Sequence, residues 1–315
     1  MTYLILILGF VLLIKGADIF VDGASALSKK LGIPSVIIGL TVVAFGTSLP
    51  EAAVSITASI SGSSGISIGN VIGSNLFNLL VVTGVSAIFS PVSIDKAIIK
   101  KDFPYSIVVT FALLFLGYNM FEHPTGDMTL SHTDGIILLL FFAVFMYYTI
   151  NSAKISVSDD SQSDKNTLPF WKQFLFIVAG LGAICLGGNF VVNSACDIAR
   201  IFGLSENFIG LTIAAVGTSL PELVTSIVAS KKGENDIAMG NIIGSNIFNI
   251  LFVTGIASLI KPIYVDIASM YDIIILLISS IIIYLFSLRK REISCYPGTT
   301  MVIAYIVYII YIIIR

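Results

Sequence analysis

The chain carries apolar runs of a length that water-soluble domains rarely use. Residues 298–314 read GTTMVIAYIVYIIYIII and residues 135–150 read GIILLLFFAVFMYYTI, with no charged side chain in either. A helix needs about 20 mostly apolar residues to cross a bilayer, where every backbone N–H and C=O must be bonded internally. Reading for that length between charges and Gly/Pro breaks gives ten spans, at 3–27, 34–60, 66–90, 103–121, 133–151, 170–199, 205–230, 236–260, 268–288 and 298–314. The expected fold is an all-α polytopic membrane protein of ten transmembrane helices.

Composition agrees and closes off other classes. Apolar residues make up 56% of the 315 and charged residues 11%, against about 25% charged in a typical soluble domain. Such a chain is neither a soluble enzyme nor a disordered protein, and a net charge of −2 gives no footprint for nucleic acid. The lipid bilayer is the one partner that composition demands; no cofactor and no obligate protein partner is evident. Cys185, Cys196 and Cys295 lack metal-ligand spacing and an even count, and read as small apolar residues.

The least apolar stretch, 152–169, reads as a solvated linker containing Asp159, Asp160 and Asp164. It separates an N-terminal half, 1–151, from a C-terminal half, 170–315, of five spans each. The first span lacks the basic start of a cleaved signal peptide, opening Met1-Thr2-Tyr3 with no charge before Lys15. Alternating the loops between the two sides puts Lys29, Lys30, Lys96, Lys100, Lys101, Lys154, Lys165, Lys172, Lys231, Lys232, Arg289, Lys290 and Arg291 together. Only Arg200, Lys261 and Arg315 fall on the other side. The basic side is expected to be cytoplasmic, with the linker inside and both termini outside.

Residues 39–78 align without a gap on residues 210–249, at an offset of 171, with 24 identities in 40 positions. The offset also pairs Gly9 with Gly180, Gly16 with Gly187, Pro91 with Pro262 and Asp95 with Asp266. A half with an odd number of spans enters the membrane opposite to its twin. The loop charges agree, since Lys231 and Lys232 are inside while the equivalent Ser61–Ser64 stretch is outside. The expectation is an inverted-topology repeat with a site near the membrane midplane and kinked second and seventh helices.

Each half contains GTSLPE, at 46–51 and 217–222. A proline inside a helix frees the carbonyl four residues back, so Pro50 is expected to release Gly46, and Pro221 to release Gly217, with the Ala44 and Ala215 carbonyls turning toward the break. Glu51 and Glu222 follow at once, and a carboxylate at membrane depth normally faces a cavity or a partner. Ala44, Thr47, Ser48 and Glu51 share one helical face, as do Ala215, Thr218, Ser219 and Glu222. In the next spans Asn70, Ser74 and Asn78 recur every fourth residue, as do Asn241, Ser245 and Asn249. Every donor offered is oxygen, which suits hard cations, and a flexible set of this kind fits Ca2+ better than Mg2+. One Ca2+ would neutralise two glutamates; more than two Na+ in its place would make exchange electrogenic.

At these residues the sequence resembles the cation/Ca2+ exchanger superfamily, and within it the prokaryotic Na+/Ca2+ exchangers. The resemblance covers both repeats and all ten spans. It implies an antiporter, not an enzyme, in which Na+ and Ca2+ compete for one central cluster by alternating access. Carried over by position, it makes Glu51, Glu222, Thr47 and Thr218 the Ca2+ ligands. Ala44, Ser48, Ser74, Ala215, Ser219 and Ser245 become Na+ ligands, and Asn78 and Asn249 fall at the middle position. Some relatives, the potassium-dependent branch among them, carry Asp where this chain has Asn249. The substitution removes a titratable group and implies no potassium requirement.

Other residues take blander readings. His123 and His132 belong to an exposed outer loop, Lys15 snorkels or pairs, and Asp22, whose counterpart is Asn193, borders an ion entrance at most. A Ca2+/H+ exchanger is the alternative within transport, because a glutamate pair also trades protons. A channel would need a pore lined along its length. An intramembrane hydrolase would need a base and an oxyanion hole that these spans lack.

Overall fold

The computed structural model describes residues 2–118, 128–159, 169–203 and 215–315. Its first packing decision is set by glycine spacing. Helix α1 (Thr2–Leu31) carries Gly9, Gly16 and Gly23 on one stripe, and α7 (Phe170–Ile201) carries Gly180 and Gly187. A Cβ on Gly16 would lie 2.9 Å from the Gly180 carbonyl, one on Gly9 3.0 Å from the Gly187 carbonyl, and one on Gly23 3.0 Å from Phe176 Cβ. The contacts therefore run in opposite directions along the two helices. The first helix of one half lies antiparallel against the first helix of the other, as inversion of the repeat requires.

Between them the chain forms α2 (Ser35–Thr47) and α3 (Leu49–Ser61), bent by 49° at Ser48. Then come α4 (Ser64–Phe89), α5 (Phe103–Tyr118) and α6 (His132–Asp159). The second half gives α8 (Ala215–Thr218), α9 (Leu220–Lys231), α10 (Asn235–Ile260), α11 (Ile267–Lys290) and α12 (Cys295–Ile314). Seven straight helices are long and apolar enough to cross a membrane, and the bent α2–α3 pair is an eighth crossing unit among the described residues. The other two expected spans fall on the shorter α5 and on α8–α9, whose approach at 204–214 lies outside the described residues. Helix α6 runs past residue 151 to Asp159, into the expected linker, because residues 152–159 contain neither Gly nor Pro to stop it.

Burial ranks the helices. Within their apolar windows 78% of α4 and 83% of α10 is buried, against 17% for α6 and α12. The third spans of the two halves are thus the centre, and Ile68, Ile72, Leu76, Ile242, Ile243 and Ile247 form the core between them, each at most 1% exposed. Each central helix is covered by the last helix of the opposite half. A Cβ on Gly84 of α4 would meet the Gly298 carbonyl of α12 at 2.6 Å, and one on Gly135 of α6 the Gly255 carbonyl of α10 at 2.8 Å.

Four two-residue strands repeat this exchange and, among the described residues, are the one regular element that is not helical. β1 (Val92–Ser93) pairs antiparallel with β4 (Glu292–Ile293), and β2 (Thr129–Leu130) with β3 (Ile263–Tyr264). They pair backbone groups just beyond the helix ends, where the ladder has stopped. Each pairing also holds two loops on one face, with Lys96 and Arg291 by the first and Lys261 by the second, matching the division of charge read from the sequence.

One substitution tests the antiparallel contact. Gly180→Ala would put a methyl group 2.7 Å from the Phe20 amide nitrogen and 2.8 Å from the Gly16 carbonyl. Overpacking of this kind costs about 1–3 kcal/mol, so the thermal midpoint in detergent should fall by several degrees, whereas Gly182→Ala, with open space around it, should leave it unchanged.

Candidate functional site

The GTSLPE segments do not kink a continuous helix. Each breaks it at one residue and starts another. Ser48 (φ −86°, ψ 8°) and Ser219 (φ −91°, ψ 7°) are the hinges, and Pro50 and Pro221 occupy the first turn of α3 and α9. There a missing N–H costs nothing, because the first N–H groups of a helix have no partner within it. This corrects the expectation of a proline within the helix, and it places Glu51 and Glu222 in the first turns of α3 and α9, the positive ends of two helices.

The Ala44 carbonyl is not left free. It accepts from the Ser48 amide at 3.1 Å and from Ser245 Oγ at 3.4 Å. In the second copy the Ser219 amide reaches back to the Val216 carbonyl at 3.2 Å.

The two halves hold each other's carboxylates. Ser48 Oγ donates to Glu222 Oε1 at 2.8 Å, and Ser219 Oγ donates to Glu51 Oε1 at 2.9 Å. Thr218 lies beside Glu51, and Thr47 and Ser245 lie beside Glu222. Thr47 Oγ1 also donates to Asn241 Oδ1 at 3.0 Å and to the Val43 carbonyl at 3.1 Å. Asn70 Nδ2 donates to the Glu51 carbonyl at 3.1 Å and to Ser55 Oγ at 2.8 Å, and Asn241 Nδ2 repeats the second bond on Ser226 at 3.0 Å.

Both glutamates are fully buried, and no Lys or Arg pairs with either among the described residues. Their second oxygens, Glu51 Oε2 and Glu222 Oε2, have no hydrogen-bond partner. Ser74 Oγ, Asn78 Oδ1 and Nδ2, and Asn249 Oδ1 are likewise buried and unpartnered. Buried polar atoms are normally bonded, so these unpartnered atoms mark Glu51, Glu222, Ser74, Asn78 and Asn249 as residues that could hold a cation. No group of three or more His, Cys, Asp or Glu gathers among the described residues. Beyond the glutamates, neutral oxygens complete the donor set.

Sequence spacing missed Asn75 and Asn246. They bind α4 to α10 reciprocally: Asn75 Nδ2 donates to the Asn246 carbonyl at 3.1 Å, and Asn246 Nδ2 to the Asn75 carbonyl at 3.3 Å. Asn249 Nδ2 donates to Asn75 Oδ1 at 3.2 Å, which turns Asn249 Oδ1 free of the bond. Wide helical turns over Phe77–Val82 and Asn249–Val253 adjoin these residues. Thr83 and Thr254 close them by donating to the Asn78 and Asn249 carbonyls, each at 3.1 Å. The doubled GSN at 73–75 and 244–246 was the available signal.

His132 Nδ1 lies 3.0 Å from the Ser258 carbonyl at the end of α10, whereas His123 and Asp160 and Asp164 of the linker lie outside the described residues. Lys15 pairs with Asp18 at 3.8 Å.

The model of the family described as sodium/calcium exchanger protein matches residues 1–151 and 172–314. The chain belongs to the sodium/calcium exchanger family. It is 38% identical over 312 residues to the putative antiporter CaxA of Alkalimonas amylolytica, covering 96% of this chain and 95% of that protein. It is 34% identical over 345 residues to the sodium/calcium exchanger MaX1 of Methanosarcina acetivorans, covering 98% and 97%. The fold matches the sodium-calcium exchanger NCX_Mj, solved after soaking with Na+ and Ca2+, with a TM-score of 0.84 at 31% identity over 98% of this chain and 97% of that one. The protein is thus a multi-pass membrane protein of a family of cation/Ca2+ antiporters.

The asparagine bridge gives a prediction. Asn75→Leu removes the partners of the Asn246 carbonyl and of Asn249 Nδ2, each at a cost of about 1–3 kcal/mol. The thermal midpoint should fall, and Ca2+ affinity by titration calorimetry should fall with it. Wild-type values for both would remove Asn75 from the support of the site.

Proposed function

We propose that the protein exchanges Na+ for Ca2+ across the cytoplasmic membrane by alternating access, with both ions competing for the cage around Glu51 and Glu222. The observation that carries this reading is the set of unpartnered buried oxygens on Glu51, Glu222, Ser74, Asn78 and Asn249. Two carboxylates taken out of water cost several kcal/mol each unless a counter-charge accompanies them. One Ca2+ between Glu51 Oε2 and Glu222 Oε2 supplies two positive charges, with Thr47 and Thr218 at its flanks.

Na+ offers half the charge per ion and needs more oxygens. Ser48, Ser74, Ser219 and Ser245, with the Ala44 and Ala215 carbonyls, are the remaining donors, and Asn78 and Asn249 serve the middle position. The cross-repeat bonds Ser48–Glu222 and Ser219–Glu51 make the two halves share every ion, so filling the cage and moving one half against the other are coupled. Neutral oxygens in such number favour Na+ as counter-ion, because protons need only the carboxylates. The basic faces of the loops assign residues 92–101 and 289–294 to the cytoplasm and both termini to the outside.

Three measurements test the reading. Ca2+ uptake into Na+-loaded proteoliposomes should exceed uptake driven by a pH gradient alone; uptake driven only by the proton gradient would make the protein a Ca2+/H+ exchanger. Glu51→Gln and Glu222→Gln should each abolish exchange while the protein keeps its elution profile in detergent, and retained transport in both would refute the site. Cys295 is exposed at the foot of α12, so a membrane-impermeant maleimide should label it in inside-out vesicles and not in right-side-out ones.

A further inference from the structure

A second cluster of charged side chains ties the turn between α9 and α10 to α1. Lys232 Nζ contacts Asp22 Oδ1 at 2.7 Å, Asp18 Oδ1 at 3.1 Å and the Asp18 carbonyl at 2.9 Å. Ser25 donates to Glu234, which also lies 3.7 Å from Lys29. Burial pulls the Lys232 ammonium down, but its hydrogen bonds to Asp22 and Asp18 more than offset this and leave it above its ordinary value. Beneath the cluster Val21, Ala24, Ala229, Ile237 and Ala238 are all 0% exposed. They form an apolar plug between Glu222 and the basic face.

The repeat supplies an internal control. At the offset of 171, Lys232 corresponds to Ser61, Glu234 to Ser63, Asp18 to Asn189, Asp22 to Asn193 and Ser25 to Cys196. None of these counterparts carries a formal charge. Asn193 turns to Asn189 on its own helix at 3.4 Å. Packing differs at three of the five plug positions: Val192 and Ala195, the counterparts of Val21 and Ala24, are only half-buried, and Ile66, the counterpart of Ile237, is 60% exposed, while Ala58 and Ser67, the counterparts of Ala229 and Ala238, stay buried.

In an inverted repeat, the state open to one side is the state open to the other with the two halves exchanging roles. A Lys–Asp pairing whose charged side chains are replaced by Ser and Asn at the repeat-equivalent positions therefore favours one state. We propose that Lys232, Asp18, Asp22 and Glu234 form a one-sided ionic latch that holds the basic face closed and makes the opposite face the resting entrance. The proposal rests on the alternating-access reading.

The test exchanges the repeats' side chains. Lys232→Ser with Glu234→Ser gives the second half what the first half carries, and Ser61→Lys with Asn193→Asp installs the latch on the opposite face. Spin labels at Leu31 and Lys231 report the gap across the basic face by pulsed electron resonance in proteoliposomes. The first variant should raise the long-distance population about three- to tenfold, the size expected of partly exposed ion pairs. It should also tighten the apparent Ca2+ affinity from the basic face while maximal turnover changes little. The second variant, by favouring closure of the opposite face, should shift both readouts in the same direction as the first. Distances and two-sided affinities that match wild type in both variants would overturn the latch. A wild-type protein that fails to exchange Ca2+ for Na+ would instead overturn the transport reading, and the distance shift, which needs no transport, would still decide the latch.

Discussion

Two carboxylates with no basic partner among the described residues sit at the centre of a chain dissolved in hydrocarbon, and the rest of the architecture is arranged around that cost. Glu51 and Glu222 are the most expensive groups in the molecule to bury, since a buried ion needs both a counter-charge and hydrogen bonds. The chain supplies hydrogen bonds itself, through serines lent by the opposite half, and in the proposed reading the cargo supplies the counter-charge. Each carboxylate also lies in the first turn of a helix, at the positive end of its backbone dipole. The hinge serines do double work here. Ser48 and Ser219 are both the break in the helix and the donors to the opposite glutamate.

Around that pair, polar and apolar packing divide the labour between helices. The central α4 and α10 are buried on nearly every face and bring the asparagines, while α1 and α7 form a glycine-lined antiparallel pair that flanks the breaks. Gly46 packs against Leu181 of α7 and Phe20 of α1, and Gly217 against Val192 of α7. Close approach of small residues, rather than hydrophobic expulsion, holds such helices together in lipid.

Much of this was legible in the sequence. Apolar run length gave the spans, the fixed offset gave the duplication, and the odd number of spans per half gave the inversion. The expectation of a site on the GTSLPE segments came from oxygen-bearing side chains at helical spacing that recur twice, and the Ala44 and Ala215 positions came from the family resemblance. Three features were not readable. The proline starts a helix instead of kinking one, because a single hinge residue before it moves it into the first turn, and local sequence does not distinguish the two. Asn75 and Asn246 were hidden because spacing arguments select one face, whereas a helix buried all round presents polar groups on more than one. The exchange of terminal helices between halves was invisible because glycine contacts such as Gly84 to Gly298 join positions far apart in the chain.

That exchange bears on how such a chain could have arisen. With the last helix of each half lying on the third helix of the other, and with paired strands at both membrane faces, neither half encloses its own core. A single five-helix ancestor could have closed its core only by pairing with a second copy inserted upside down. A protein of that kind would have needed loops so evenly charged that insertion could proceed either way. A single chain is free of that requirement, and its two halves can carry their lysines on different loops. The same freedom allows the two copies to diverge in their surface charges while the shared interior keeps them nearly alike.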